Sequence, residues 1–182
     1  LGLKTKMELS GIPCYDLDNS FKLRKSCCVS RSFGKRIETL ESMREAVSTY
    51  ITRAAEKIRN ENLVANNINL YIRTSPFDKN SKTYYANSIS LPLDFPTNNT
   101  IDLNKKALNG LNKIFKKGYL YQKAGVVLSG LEIENTDLNL FVENDEKNKF
   151  LMNALDLINN KHGKNSLRLA SEGTKKEWLT KR

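Results

Sequence analysis

A chain of 182 residues with a formal net charge of +10 and a pI near 9.5 has room for one ordinary domain plus an extension. Its charge points to a polyanionic partner, most simply nucleic acid. The single histidine, His162 beside Gly163, leaves little material for a Cys/His zinc site or a Ser-His-Asp triad. Cys14, Cys27 and Cys28 lack framework spacing, and neighbours 27 and 28 point to opposite faces of a strand, so a reducing, cytoplasmic setting is expected. No apolar run approaches the roughly 20 residues that span a bilayer, and no signal peptide opens the chain, so no membrane partner is expected. The first residue is Leu1 rather than Met, and the sequence reads as a piece of something longer or as a processed product.

Residues 1–21 read as an entry segment, with Leu3–Leu9 finishing a helix that Gly11 and Pro13 stop. Lys22–Ile37 then carries six basic residues and no acid around a β-prone run, Cys27-Cys28-Val29-Ser30. Basic side chains flanking a strand of small residues suit a surface that lies against phosphates: charge attracts, and small side chains let the backbone approach. Val29 and Phe33 share one strand parity and are expected to face the core; Ser30 and Ser32 share the other. Arg31 falls on the apolar parity, so either a bulge at Gly34 rotates it outward or it reaches round the strand edge. Gly34 is expected to bend the chain out of the strand, leaving Lys35 and Arg36 past its end.

A helix follows over about Ser42–Asn62. Met43, Ala46, Val47, Tyr50, Ile51, Ala54, Ala55 and Ile58 recur at helical spacing, with Ser42 and Glu45 as a capping box and Arg44, Arg53, Lys57 and Arg59 on the solvated face. The period then changes to two. In residues 67–74, Ile68, Leu70 and Ile72 oppose Asn69, Tyr71 and Arg73. Ser75–Asn80 is a loop, and a further strand over about Lys82–Leu93 ends in a turn bounded by Pro92 and Pro96.

A second amphipathic helix starts after Thr100 as N-cap and stops at Gly118, with Leu103, Ala107, Leu108, Leu111, Ile114 and Phe115 as its stripe. A last strand, Tyr121–Leu131, sets Ala124, Val126 and Leu128 against Lys123 and Gly125. The order β-α-β-β-α-β predicts an α+β fold: a split βαβ four-stranded sheet with two helices on one face. The uncovered face would carry Tyr71, Arg73, Lys123 and the small residues around Ser30. After Leu131, residues 132–146 hold six acids and no base around Leu138, Leu140 and Phe141. A short helix over about Lys147–Asn160 carries Phe150, Leu151, Ala154, Leu155 and Ile158 on one stripe. Lys161–Arg182, with the lone Trp178, has too little apolar content for a core of its own.

The blocks SRSFGKRI (30–37), SMREAV (42–47), AAEKIR (54–59), RTSPF (73–77), YQKAGVVL (121–128), DLNLF (137–141) and ASEG with Trp178, in that order, resemble the C-terminal part of the UmuC family. These are the Y-family catalytic subunits of the bacterial SOS translesion DNA polymerase V. The resemblance implies the end of a thumb and linker in residues 1–25, a DNA-binding little finger in 26–131, and a family-specific C-terminal extension in 132–182. It implies primer-template DNA as partner; by their charge and strand position, Ser30, Arg31, Ser32, Lys35, Arg36, Tyr71, Arg73 and Lys123 are the expected contacts to its backbone. Asp137, Leu138, Asn139, Leu140 and Phe141 are similar to the pentapeptide by which bacterial polymerases bind the sliding clamp. Asp137 stands where that motif usually has Gln, and lacks its amide donor; the alternative is that Leu138 and Phe141 pack on the sheet. UmuD-type subunits and RecA are further partners that the resemblance implies for the parent enzyme.

Nucleotide transfer in that family uses two metal ions, Mg²⁺ being expected, held by palm carboxylates. Asp16 and Asp18 sit in a linker and the other acids in helices or the acidic stretch, and no Gly-rich phosphate cradle is present, so neither catalysis nor a cofactor is expected in this segment. Two other readings remain at this point. A single-stranded RNA binder of the same layout would need central aromatics in its RNP1-like strand, where YQKAGVVL has none; a protein-interaction adaptor would turn the basic face toward an acidic partner.

Overall fold

The computed structural model describes residues 2–14, 23–77, 84–134 and 145–180. In chain order these form α1 (Gly2–Leu9), β1 (Ser26–Ile37), α2 (Leu40–Arg59), β2 (Leu63–Thr74), β3 (Ala86–Thr97), α3 (Thr100–Ile114), β4 (Tyr121–Ser129), β5 (Glu132–Ile133) and α4 (Asp145–His162). The strands lie in the order β1-β4-β2-β3, every neighbouring pair antiparallel, and β5 joins the start of β2. β4 therefore separates β1 from β2, and β2 separates β3 from β4, which is the expected split βαβ arrangement.

Burial selects the helix face of the sheet. Val29, Val126 and Leu70 form one cross-strand row and Cys27, Leu128 and Ile68 another, all buried against α2 and α3. All eight apolar residues of the α2 stripe are fully buried, as their spacing predicts. On α3, Leu103, Ala107, Leu111 and Ile114 are buried while Leu108 and Phe115 pack at the margin.

Several boundaries differ from expectation, each for a physical reason. α2 is capped by Thr39, whose Oγ1 accepts the Ser42 amide at 3.3 Å, so Ser42 lies inside the first turn. α3 is capped by Asn99, whose Oδ1 accepts the Ile101 amide at 2.9 Å; the Thr100 hydroxyl instead accepts from Arg59 at 2.7 Å. α3 ends at Ile114 rather than at Gly118, which serves the turn into β4 with φ +92°. β3 runs through Pro92 and Pro96, which its position at the sheet edge permits because the missing amides are owed to no neighbour. Gly34 does not end β1 either. The ladder to β4 shifts between Ser32 and Ile37, and Lys35 and Arg36 lie within the strand. At the other end of β4, Gly130 (φ +63°) kinks the chain and β5 resumes the pairing with Leu63 and Val64.

The segment after α4, expected to have too little apolar content for a core of its own, contributes to the domain's among the described residues. Trp178, 4 % exposed, sits edge-on to Phe33 and Tyr50 with ring centroids 6.0 and 5.9 Å away. Its carbonyl accepts the Gly34 amide at 3.0 Å, and the Thr180 backbone passes so close to Gly34 that a Cβ there would lie 2.8 Å from the Thr180 Cα. Upstream, the buried Glu172 accepts from Thr52 at 3.1 Å, and Lys176 donates to Thr49 at 2.9 Å and pairs with Glu172 at 3.4 Å. Asn104 of α3 donates to Ser171 at 2.9 Å.

α4 is anchored by Arg59, expected on a solvated face but with a side chain only 7 % exposed. Its guanidinium grips Asp156 at 2.7 and 2.9 Å and also donates to the Asn98 carbonyl at 2.8 Å. This pairing turns Met152 and Leu155 inward. The expected stripe is thereby split: Leu155 is buried, whereas Phe150 is 75 % exposed and Leu151, Ala154 and Ile158 also face outward.

Replacing Trp178 by Ala should cost about 3–5 kcal/mol in urea unfolding, the usual cost of removing a buried tryptophan, plus loss of the Tyr50 and Phe33 ring contacts. A loss under about 1 kcal/mol would mean that the C-terminal segment does not rest on the core in solution.

Candidate nucleic-acid interface

The side of the sheet away from the helices follows from register. Ser32, Lys123, Arg73 and Ala86 are successive cross-strand partners on β1, β4, β2 and β3. The next row on this face is Ser30, Gly125, Tyr71 and Ser88, then Cys28, Val127, Asn69 and Ser90, then Ser26, Ser129, Asn67 and Pro92. No described helix covers these rows, and their side chains are small, polar or cationic apart from Val127 and Pro92.

Three features give this face its chemistry. Lys123 and Arg73 stand directly opposite one another, and neither has an ion-pair partner among the described residues. Like charges directly opposite in an antiparallel pair oppose folding, so the sheet holds them at some cost. Gly125 lies beneath the Tyr71 ring, and a Cβ there would lie 2.5 Å from ring atoms. The absent side chain lets the ring lie flat across the sheet. The lower rows are a hydrogen-bonded ladder: Asn69 donates to Ser129 at 3.0 Å, and Asn67 donates to Ser90 at 2.9 Å. That ladder orders the amide and hydroxyl groups and leaves their remaining donors and acceptors facing outward.

Of the residues expected to touch DNA, the fold brings Ser30, Ser32, Tyr71, Arg73 and Lys123 onto this one face. Arg31 is not among them. It pairs with Ala124 in unbroken register, in the row that continues to Ile72, and so projects on the helix side of the edge strand toward α2. The bulge lies beyond Ser32, too late to rotate it outward. Lys35 pairs with Glu177 of the C-terminal segment at 3.3 Å, both side chains well exposed, and Arg36 donates to Gln122 at 3.3 Å. An exposed pair of this kind contributes well under about 1 kcal/mol and yields readily to a phosphate. The pentapeptide Asp137, Leu138, Asn139, Leu140 and Phe141 lies outside the described residues, as do Asp16 and Asp18.

Sequence reasoning missed a second basic surface on the helix side. Arg31, Arg53 and Lys57 face Lys164 and Arg168 across a cleft of about 660 Å³ between the domain and its extension. The signal was present as Arg53 and Lys57 one turn apart, but nothing in the sequence said that the extension would fold back opposite them. Below the cleft, burial pushes the Tyr50 hydroxyl up to about 12 despite the nearby positive charges of Arg31 and Arg53. Burial lowers Lys176, and the proximity of Arg168 and Arg53 adds to that, partly offset by Glu172. Among the described residues no group of three or more His, Cys, Asp or Glu is placed to hold a metal ion, and no helix is long and apolar enough to cross a membrane.

Comparison with known proteins agrees with the resemblance read from the residue blocks. Protein UmuC of Salmonella typhimurium is 39 % identical, the match covering 98 % of this chain and 43 % of that protein. Protein SamB of the same organism is 37 % identical over 98 % of this chain and 42 % of its own, and MucB of Escherichia coli is 35 % identical with the same coverage. The chain thus spans less than half the length of the curated relatives it matches. Among solved structures, a Y-family DNA polymerase chimera of Dbh and Dpo4 superposes with a TM-score of 0.51 at 16 % identity, over 72 % of this chain and 35 % of the other. At that identity the likeness is one of fold, and it is the split βαβ fold described above. Residues 149–182 match a separate domain of unknown function, DUF4113. Residues 24–140 match the impB/mucB/samB family C-terminal domain, and the chain belongs to that family.

Proposed function

We propose that this chain is the DNA-holding and clamp-recruiting region of an error-prone translesion DNA polymerase of the SOS response. The observation that carries the proposal is the unpaired Arg73–Lys123 cross-strand pair on an uncovered sheet face, beside the small residues Ser30, Ser32 and Gly125. An anionic backbone laid across that row relieves the repulsion between the two cations, and the small Ser30 and Ser32 side chains let it approach the sheet closely. Tyr71 adds a flat amphipathic surface at the centre. Such contacts read phosphates rather than base edges, which suits an enzyme that must hold damaged and undamaged duplex alike. Lys35 and Arg36, farther along β1, are taken as further phosphate contacts that exchange Glu177 and Gln122 for the anion.

The catalytic carboxylates, with the Mg²⁺ that nucleotide transfer uses, we assign to the rest of the parent polymerase, and the end of the thumb to residues 1–25. Residues 26–131 are the little finger and 132–182 the extension. UmuD-type subunits and RecA are partners of the cytoplasmic parent enzyme on this reading. The DLNLF segment recruits the sliding clamp by placing Leu138, Leu140 and Phe141 in an apolar groove; the support for this is the sequence alone.

With Lys35, Arg36, Arg73 and Lys123 as phosphate contacts, log K for a primed duplex should fall with log[salt] at a slope of about −3.5. Arg73→Ala combined with Lys123→Ala should reduce that slope by about two, uniformly across duplex sequences. Association that ignores salt would contradict the reading. For the second activity, Leu138→Ala with Phe141→Ala should abolish binding to purified sliding clamp and leave duplex binding intact. Equal loss of both would mean that the segment is built into the folded core.

A further inference from the structure

The cleft between β1, α2 and the C-terminal extension has a composition that its structural role does not explain. Arg31 reaches into it from β1, Arg53 and Lys57 from α2, and Lys164 and Arg168 from the segment after α4. None of the five makes an ion pair or side-chain hydrogen bond among the described residues. Of the three acids on the walls, Asp156 is taken by Arg59 and Glu172 by Lys176 and Thr52, which leaves Glu56 alone against the cations. Folding the extension onto the domain therefore brings two sets of positive side chains together across a gap. The interaction opposes docking, and the docked state carries it because Trp178 and the Arg59–Asp156 pair hold the extension elsewhere. Five cations gathered against a single unengaged carboxylate around a concave surface are an arrangement that an anion completes.

We propose that this cleft is a second nucleic-acid site, one that takes the sugar–phosphate backbone of a single strand. Its volume of about 660 Å³ suits a nucleotide-sized portion of a strand and excludes a duplex. No aromatic residue lines it, so bases have no stacking platform and the recognition is of phosphates, tolerant of sequence. The cations come from three separate segments, more than one phosphate group can engage, which favours a chain of phosphates over a lone ion. The cleft opens along the edge strand β1, which would divide a duplex path from a single-strand path: Ser32 faces the first, Arg31 the second, and Cys28 and Ser30 border both. On this reading the DUF4113 segment, residues 149–182, contributes one wall of a strand-binding groove.

The test measures fluorescence anisotropy of a labelled twelve-nucleotide oligothymidine on the complete 182-residue chain. With five contacts, the salt slope for the single strand should be about −3.5. Arg53→Glu with Arg168→Glu should weaken binding by about ten-fold or more, whereas Arg73→Ala with Lys123→Ala should change it by less than about two-fold. Because Arg53 is half-buried, the exposed pair Lys57→Glu with Lys164→Glu serves as a second variant, with an unfolding midpoint equal to the parent's and a several-fold loss expected. Unchanged single-strand affinity in the folded Lys57/Lys164 variant would overturn the proposal. So would loss confined to the Arg73/Lys123 variant, which would place the strand on the duplex face. Inorganic tripolyphosphate that binds more tightly than the oligonucleotide would assign the cleft to a small phosphate ligand and overturn it equally. None of these outcomes bears on the salt dependence of duplex binding, so the two sites stand or fall separately.

Discussion

Two helices packed on one side of an antiparallel sheet bury every second residue of its central strands and leave the alternate residues to water. The chemistry of the uncovered sheet face follows from that alternation. Val126, Leu70 and Val29 must face α2 and α3, so Gly125, Tyr71 and Ser30 must face outward, as must Lys123, Arg73 and Ser32 beside them. A slip of one residue in the pairing of β2 with β4 would set Tyr71 and Arg73 against the helices and put Leu70 and Ile72 in water. The fully buried Ile68, Leu70, Ile72, Ala124, Val126 and Leu128 make such a slip prohibitive. Register is thus fixed on one side by the core, and the other side inherits its chemistry without having to stabilise it.

The edge strand β1 shows how the extension uses what the sheet leaves over. Past Ser32 the ladder to β4 is broken, and polar backbone groups there need other partners. Gln122 donates to the Phe33 carbonyl and the Trp178 carbonyl accepts the Gly34 amide, so a side chain and the C-terminal segment replace the missing strand contacts. Glycine at position 34 is required by the approach of the Thr180 backbone, a different reason from the bend that its presence suggests. The same docking that covers this edge carries Lys164 and Arg168 round to face Arg31 and Arg53. It leaves a strip of α4 that includes Phe150 and Leu157 in solvent.

Most of the domain was legible in the amino-acid order because burial there obeys a simple period. The α2 stripe, the alternation in residues 67–74 and the β-α-β-β-α-β order each point to a single arrangement. Boundaries were less legible where a local preference competed with tertiary position. Pro92 and Pro96 read as a turn, yet an edge strand tolerates both, and only the sheet order reveals which strand is the edge. Thr39 displaced Ser42 as cap because either hydroxyl can serve, and the one that precedes the first buried turn does. The extension was the least legible region. Asp156 reads as a solvated helix residue until Arg59 is found buried against it, and that one pair rotates α4 by enough to bury Met152 in place of Phe150. Trp178 has no periodic context at all, because its pocket is built by Phe33 and Tyr50 more than a hundred residues earlier. Arg31 was legible in its parity, and of the two courses open to it the unbroken register through Ser32 rules out rotation by a bulge.

Whether the uncovered sheet face is the surface that holds duplex DNA is decided most directly by residue-resolved amide chemical shifts of the labelled chain titrated with a primed duplex. The largest changes are expected on Ser30, Ser32, Tyr71, Arg73, Lys123 and Gly125, contiguous across β1, β2 and β4. Changes centred on the outer faces of α2 and α3, with those six amides unmoved, would contradict the assignment.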